Sequence, residues 1–178
     1  MTEKELVKRC LKHDRNAQFE LYSRFKVAMF GLCMRYAFSE EEAQDMLQEG
    51  FITVFKQLKN LKDPASLAAW VKRVMVTTAL QYLRKHKKRR FTESIDGHED
   101  STEHEPEIEA ELGAKDLIRL IQELPHDLRV VFNLYAIEGY SHKEISTQLD
   151  ISESNSKVRL SRARSILRLR VERILETT

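Results

Sequence analysis

The stretch GYSHKEISTQLDISESNSKVRLSRARSIL, residues 139–167, predicts two short helices separated by a tight break at residues 149–152. Ser141 fits the N-cap of the first helix, and Glu144 stands three residues later, which is the spacing of a capping box. Ser152 offers a second N-cap, and the helix that follows it is rich in arginine. This layout is typical of a helix-turn-helix, in which the first helix braces the second and the second enters a DNA major groove.

The second helix has two distinct sides when its residues are placed about 100° apart around the axis. The side predicted to pack against its own domain carries Ser156, Leu160, Ala163 and Leu167. The opposite side, called the outward side below, carries Asn155, Val158, Arg159, Ser161, Arg162 and Ser165. Arg and Asn can pair with base edges and phosphates, and Val can meet a thymine methyl group. A helical hairpin with an ordinary solvated face is the alternative, but the caps, the spacing and the one-sided arginines favour a DNA reader.

The composition favours a helical protein with a heavily solvated surface. Of 178 residues, 42% are hydrophobic and 33% are charged, while five glycines and three prolines leave few signals for strands and turns. We therefore predict an all-α fold. The net charge is only +2, which does not by itself indicate a nucleic-acid partner, but acidic and basic residues are segregated into blocks.

Several kinds of site are not expected from this sequence. Cys10 and Cys33 form no C-x-x-C motif and no cluster with histidine, so we predict neither a metal site nor a cofactor. No apolar run approaches the roughly 18 residues that a membrane span requires, and the first residues lack a signal-peptide pattern. We expect a cytoplasmic protein without membrane insertion.

Helical spacing in residues 1–90 predicts four helices: residues 2–12, a longer helix capped by Asp14, residues 40–58 behind Ser39, and residues 67–90. The longer helix carries a stripe of large apolar residues that we expect to pack in the core. Its members are Phe19, Tyr22, Phe25 (or Lys26), Met29 and Phe30. Gly50 lies within the third helix, where glycine costs about 1 kcal/mol relative to alanine. A close contact with another helix, or a tolerated neutral choice, would explain it.

The helix predicted over residues 67–90 carries a polar stripe that begins at Trp70. The polar stripe consists of Arg73, Thr77, Gln81, Arg84 and Lys88. Residues 84–90 hold six formal positive charges in seven residues, and a polar loop at residues 60–66 precedes the helix. A basic stripe beside an aromatic side chain suits DNA whose strands are partly separated. A solvated helix end that favours the helix dipole is the alternative, but it does not explain a stripe that reaches back to Arg73.

An acidic segment follows this helix. Residues 91–111 contain nine Asp and Glu and no Lys or Arg, so they cannot bury enough apolar surface to offset the entropy of ordering. Helical spacing resumes at Gly113, is broken at Pro125, and stops at the glycine C-cap Gly139. The predicted organisation is a domain over residues 1–90, a flexible acidic linker over residues 91–112, and a helix-turn-helix domain over residues 113–178.

Four stretches form a combination that is specific through its order and spacing. They are DMLQEGFITVF (45–55), AWVKRVMVTTALQYLRK (69–85), LPHDLRVVFNLYAIEGYSHKEIS (124–146) and SKVRLSRARSILR (156–168). With them the chain resembles, over nearly its whole length, the extracytoplasmic-function group of bacterial RNA polymerase sigma factors.

The resemblance implies a transcription initiation factor, not an enzyme, that binds core RNA polymerase and directs it to specific promoters. It implies that Asp45, Gln48 and Glu49 belong to the helix that docks on polymerase. The residues it assigns to the minus-ten element are Asn60, Ser66, Trp70, Arg73, Thr77, Gln81, Arg84, Lys85 and Lys88. Those it assigns to the minus-thirty-five element are Ser154, Asn155, Lys157, Val158, Arg159, Ser161 and Arg162. It also implies an anti-sigma partner, and we expect a monomer when the chain is free of partners.

Four positions depart from the residues usual in that group, so no promoter sequence is implied. They are Leu67 in place of Phe, Thr77 in place of Asn, Gln81 in place of Asp, and Val158 in place of a small polar residue. A stand-alone helix-turn-helix regulator is a weaker alternative because no dimerisation helix is apparent. An enzyme acting on nucleic acid is weaker still, since the sequence offers no metal-binding carboxylate pattern and no phosphate-binding glycine loop.

Overall fold

The computed structural model describes residues 1–93 and 113–177, and within these ranges the chain forms helices and turns without a strand. The predicted all-α fold is confirmed. Contacts divide the chain into two compact units, Met1–Ser101 and Thr102–Thr178. Of the predicted linker, the first three residues continue a helix, and the rest lies outside the described residues.

In residues 1–93 the first unit contains four α-helices, which start within one residue of the predicted positions. They are α1 (Glu3–Leu11), α2 (Arg15–Tyr36), α3 (Glu40–Gln57) and α4 (Leu67–Glu93). Asp14 Oδ1 accepts the backbone N–H of Asn16 at 2.9 Å, and Ser39 Oγ accepts that of Glu42 at 3.2 Å. Each bond satisfies a donor at a helix start that has no partner within the helix. Two short 3-10 turns, Leu58–Asn60 and Pro64–Ser66, connect α3 to α4.

The aromatic stripe of α2 is only partly in the core. Phe19 is 71% exposed, so its predicted core position is wrong. The buried side of α2 includes Ala17, Leu21 and Leu32. Because Phe19 lies about 200° around the helix from Leu21, it faces solvent when Leu21 faces the core. Met29 is buried as predicted. Tyr22, Phe25 and Phe30 are partly buried.

Gly50 marks a close approach of α3 to α4. A Cβ added at Gly50 would overlap Met75 Sδ, and the Met75 side chain is 1% exposed. Of the two explanations for this glycine, the close helix contact is therefore confirmed.

We expect Gly50→Ala to destabilise the first unit by about 1 kcal/mol, because overpacking costs about 1–3 kcal/mol and the gain in helix propensity offsets about 1 kcal/mol. In a Met75→Ala background the same change should stabilise the unit by up to about 1 kcal/mol, since the overlap is gone. Denaturant unfolding followed by the fluorescence of Trp70, the only tryptophan, measures both. An equal effect of Gly50→Ala in the two backgrounds would contradict the contact.

Helix α1 packs against the turns that connect α3 to α4. Its buried residues are Leu6, Val7 and Cys10. Cys10 and Cys33 are buried free thiols, and burial raises the pKa of Cys33 to about 12. A thiol held neutral in this way is a poor nucleophile and a poor metal ligand at neutral pH.

In residues 113–177 the second unit contains four further α-helices. They are α5 (Ala114–Gln122), α6 (His126–Phe132), α7 (His142–Leu149) and α8 (Glu153–Thr177). The helical spacing predicted between Pro125 and Gly139 forms α6 and, directly after it, a π-helical stretch, Asn133–Ile137. Gly139 follows with φ +80°, a left-handed conformation that favours glycine, so the predicted C-cap is confirmed. The core of this unit includes Val131, Leu134, Ile145, Leu160 and Ala163.

Candidate nucleic-acid interface

Helices α7 and α8 form the predicted helix-turn-helix. Ser141 Oγ accepts the backbone N–H of Glu144 at 3.2 Å, and Glu144 Oε2 accepts that of Ser141 at 2.8 Å. This reciprocal pair is the capping box that the sequence predicts. The chain then turns at Asp150, which adopts a left-handed conformation with φ +53°. Ser152 Oγ caps α8 by accepting the N–H of Asn155 at 3.0 Å.

The two sides of α8 are arranged as predicted. On the packing side, Ser156 and Ala163 are 0% exposed, Leu160 is buried and Leu167 is half-buried. Six of the residues predicted to contact DNA are exposed: Ser154, Asn155, Lys157, Val158, Ser161 and Arg162. The outward side therefore presents polar and cationic groups to solvent, with Val158 as its apolar member.

Arg159 differs from its neighbours because its guanidinium is held in place. Its Nε donates to Asn155 Oδ1 at 2.9 Å, and its Nη2 lies 3.6 Å from Asp127 Oδ2 in α6. The pair of Asn155 and Arg159 is one helical turn apart, so its spacing could be recognised in the sequence. Asp127 is a residue that sequence reasoning missed, since only the packing of α6 against α8 brings it to this side.

A polar contact fixes α7 to the buried side of α8. Ser156 Oγ lies 2.9 Å from His142 Nδ1, and the His142 ring stacks on Tyr135 with ring centroids 4.4 Å apart. The Arg164 guanidinium lies over the same Tyr135 ring, 5.7 Å from its centroid. The buried hydroxyl thus has a partner, as a buried polar group requires.

We expect Ser156→Ala to destabilise the second unit by about 1–2 kcal/mol, because the change removes this bond and leaves His142 Nδ1 without it. Denaturant unfolding followed by circular dichroism measures this change. The transition of the second unit is the one that Trp70 fluorescence does not follow, because Trp70 lies in the first unit. Ser165→Ala is the matched control, since the exposed Ser165 hydroxyl donates only to the carbonyl of Ser161. Its effect should stay within about 0.5 kcal/mol. Equal effects of the two substitutions would contradict a structural role for the His142 contact.

The polar stripe of α4 lies on the exposed side of that helix. Arg73, Thr77, Gln81 and Arg84 are exposed, as is Lys85, while Trp70 is half-buried at the start of the stripe. The Lys88 side chain lies outside the described residues. The opposite side packs in the core through Val71, Val74, Met75, Thr78 and Tyr82. Leu67 is 0% exposed and belongs to this core.

The loop before α4 is ordered by its own side chains. Asp63 Oδ1 accepts the N–H of Ala65 at 3.0 Å, and Ser66 Oγ donates to the carbonyl of Asp63 at 2.7 Å. Asn60 and Ser66 are both exposed. The hydroxyl proton of Ser66 is used within the loop, so this group is left to accept hydrogen bonds from a ligand.

The three residues predicted to contact polymerase are exposed on α3, but they are not equivalent. Asp45 Oδ2 accepts the Tyr82 hydroxyl at 3.3 Å, so this carboxylate also joins α3 to α4. Burial, followed by the nearby charge of Asp45, raises the pKa of Tyr82 to about 12. Gln48 lines a groove of about 650 Å³ between α2 and α3, together with Tyr22, Lys26, Phe30, Gln44 and Ile52. Glu49 is exposed beside them.

Neither a metal site nor a membrane-spanning helix is found in the described residues. In residues 1–93 and 113–177, no group of three or more His, Cys, Asp or Glu side chains is placed to hold a metal ion. None of the helices in those ranges combines the length and the apolar character needed to cross a membrane.

Two protein-family models match this chain. The model described as Sigma-70 region 2 matches residues 21–89, and that described as Sigma-70, region 4 matches residues 114–167. The ECF RNA polymerase sigma-E factor of Haemophilus influenzae is 27% identical over 186 residues, with 98% of each chain covered. The RNA polymerase sigma-H factor of Pseudomonas aeruginosa is 28% identical over 181 residues, with 93% of this chain and 91% of its own length covered.

Solved structures share the fold. The sigma factor RpoE in complex with the anti-sigma factor NepR, from Bartonella quintana, matches with a TM-score of 0.57 and 18% identity over 86% of this chain and 97% of its own. CnrH in complex with the cytosolic domain of CnrY matches with a TM-score of 0.52 and 20% identity, over 96% of this chain and 97% of its own.

Proposed function

This chain belongs to the extracytoplasmic-function group of bacterial RNA polymerase sigma factors, and we propose that its two helical units read separate elements of one promoter. It is a transcription initiation factor that binds core RNA polymerase and directs it to specific promoters. Sigma factors are transcription factors, and we infer that polymerase supplies the chemistry and this chain the recognition. One observation supports two DNA-reading surfaces: α4 and α8 each have one buried side and one exposed side with cationic residues.

The second unit is proposed to place α8 in the major groove of the minus-thirty-five element. The proposed contacts are Ser154, Asn155, Lys157, Val158, Arg159, Ser161 and Arg162. Arginine can donate two hydrogen bonds to a guanine edge, and asparagine can pair with adenine. Because Asn155 Oδ1 accepts from Arg159, the Asn155 amide group keeps both N–H donors and one acceptor lone pair for DNA. Arg162, which is exposed, is the strongest candidate for a base contact.

The first unit is proposed to bind the minus-ten element with its strands partly separated. The proposed contacts are Asn60, Ser66, Trp70, Arg73, Thr77, Gln81, Arg84, Lys85 and Lys88. Proteins that bind single strands combine a cationic surface for phosphates with aromatic side chains on which bases stack. The half-buried Trp70 lies at the start of the polar stripe, next in sequence to the loop that carries Asn60 and Ser66. The stripe supplies the phosphate contacts.

The α2–α3 side of the first unit is proposed to dock on core polymerase. Asp45, Gln48 and Glu49 are exposed there, and Gln48 lines a groove that is partly apolar. Exposed apolar surface with a polar rim is typical of protein interfaces. By analogy with the RpoE–NepR complex, we propose that an anti-sigma protein covers polymerase-binding surface of this chain. Free of partners, the chain is proposed to be a cytoplasmic monomer.

The test of this proposal is to purify polymerase through the tagged chain and to sequence the DNA that the complex retains. The expected DNA contains two short elements at a constant spacing, one read by each unit. Polymerase that copurifies without any enriched sequence would contradict promoter reading. DNA that is enriched equally without polymerase would favour a stand-alone regulator.

A further inference from the structure

A carboxylate from outside α8 reaches the outward side of that helix. Asp127, in the first turn of α6, places Oδ2 3.6 Å from Nη2 of Arg159. The side chains are 56% and 23% exposed, respectively, so the pair lies at the surface with the arginine the more covered member. Neither family resemblance nor helical spacing assigns a function to this residue.

Two contacts together limit the orientation of the Arg159 guanidinium. Nε donates to Asn155 Oδ1 at 2.9 Å, while the separation from Asp127 is that of an ion pair without a close hydrogen bond. The guanidinium has five N–H donors in a fixed planar fork. Because Asn155 takes only the Nε–H, the donors on the Nη atoms are left to pair with a base edge.

An exposed ion pair of this kind adds little to stability, so any effect of Asp127 on function has to come from the orientation and charge of its partner. An arginine without such contacts can bind whichever phosphate is nearest, which gives affinity without base selectivity. A carboxylate beside the guanidinium favours one orientation of its planar set of N–H donors. The same carboxylate repels the DNA backbone, so it weakens binding to every sequence.

We infer that Asp127 is a positioning residue for promoter recognition: it holds Arg159 for a base contact and lowers the affinity of the chain for other DNA. This inference rests on the proposed reading of the minus-thirty-five element by α8. Asp127 itself touches Arg159 and makes no base contact in this account. Its effect on DNA is therefore indirect and requires Arg159.

The experiment uses the full chain bound to core polymerase and a promoter library with a randomised upstream element. Asp127→Asn should reduce selectivity at one base pair on the order of tenfold. Its binding to DNA without a promoter should become tighter. Asp127→Glu, which keeps the charge, should restore part of the selectivity. In an Arg159→Ala background, Asp127→Asn should cause no further loss of selectivity.

Glu123→Gln is the matched control because it removes the same charge from another ion pair of this unit. Glu123 Oε2 lies 2.6 Å from Arg170 Nη1, and Arg170 is eleven residues beyond Arg159 on α8. The control should retain the base preference of the original chain. The unfolding temperature of Asp127→Asn should match that of the original chain. A loss of selectivity is then due to the changed orientation of Arg159 and not to misfolding.

The outcomes are distinguishable. If the original chain selects a sequence and Asp127→Asn selects it equally well, the inference is overturned and the proposed function stands. A loss of selectivity shared by Glu123→Gln, or one that persists in full without Arg159, also overturns the inference. If the original chain selects no upstream sequence, the proposed reading by α8 fails and the inference fails with it.

Discussion

Arg162→Ala is expected to weaken promoter binding by about 1–3 kcal/mol and to relax the preference at one upstream base pair. Arg162 is exposed on the outward side of α8, opposite the buried Ser156, Leu160 and Ala163. A substitution there removes no core contact, so the loss of binding has to come from a lost contact with DNA. The measurement is transcription by the reconstituted polymerase from promoters that differ at single upstream positions.

Arg168→Ala is the control for this prediction. It removes the same charge from an exposed position of α8, six residues beyond Arg162 and outside the predicted contacts. Six residues correspond to about 9 Å along the helix axis. If the two variants lose binding equally at every promoter, α8 contributes only charge, and base reading by Arg162 is wrong.

Arg84→Ala combined with Lys85→Ala is expected to weaken DNA binding for all promoter sequences to a similar degree. Both residues are exposed on α4, and Arg84 belongs to the polar stripe. Each lost phosphate contact should flatten the plot of log affinity against log salt by roughly 0.7–0.9. Since hydrogen bonds to charged groups contribute about 1.5–3 kcal/mol each, losing two of them should weaken binding at low salt by at least roughly 100-fold. Affinity of the reconstituted polymerase for a promoter, measured over a series of salt concentrations, tests this.

The matched control replaces Lys4 and Lys8 of α1, which are exposed and carry the same total charge. The control should leave the salt dependence nearly unchanged, because α1 carries no predicted DNA contact. A salt dependence that is equally flattened by both double variants would show a general effect of net charge. That result would contradict phosphate binding by α4.

The sequence was most informative where a single local signal determines the structure. The helix starts after Asp14, Ser39, Ser141 and Ser152 were predicted because a capping side chain bonds a donor within three residues of itself. The buried side of α8 was predicted because helical spacing alone places Ser156 and Ala163 together. The end of α4 was predicted at residue 90, whereas the helix continues to Glu93. No proline or glycine in residues 91–93 forces a stop, so the boundary depends on weak propensities.

The features that the sequence did not predict depend on contacts between helices. Spacing defines the stripe that contains Phe19, but only the packing of α2 decides that Leu21 turns inward and Phe19 outward. The overlap that explains Gly50 requires Met75, which lies on another helix. Asp127 and Arg159 are 32 positions apart, and no motif joins them. The assignment of individual residues to promoter or polymerase contacts comes from resemblance and stays a prediction.

The most direct test of promoter direction is transcription by purified core RNA polymerase with and without this chain. Templates are fragments of genomic DNA from the source bacterium, and the starts of the transcripts are mapped by sequencing. We predict that the chain causes initiation at a defined set of sites that share an upstream and a minus-ten element, and that core enzyme alone does not start there. Identical sets of starts with and without the chain would contradict the account.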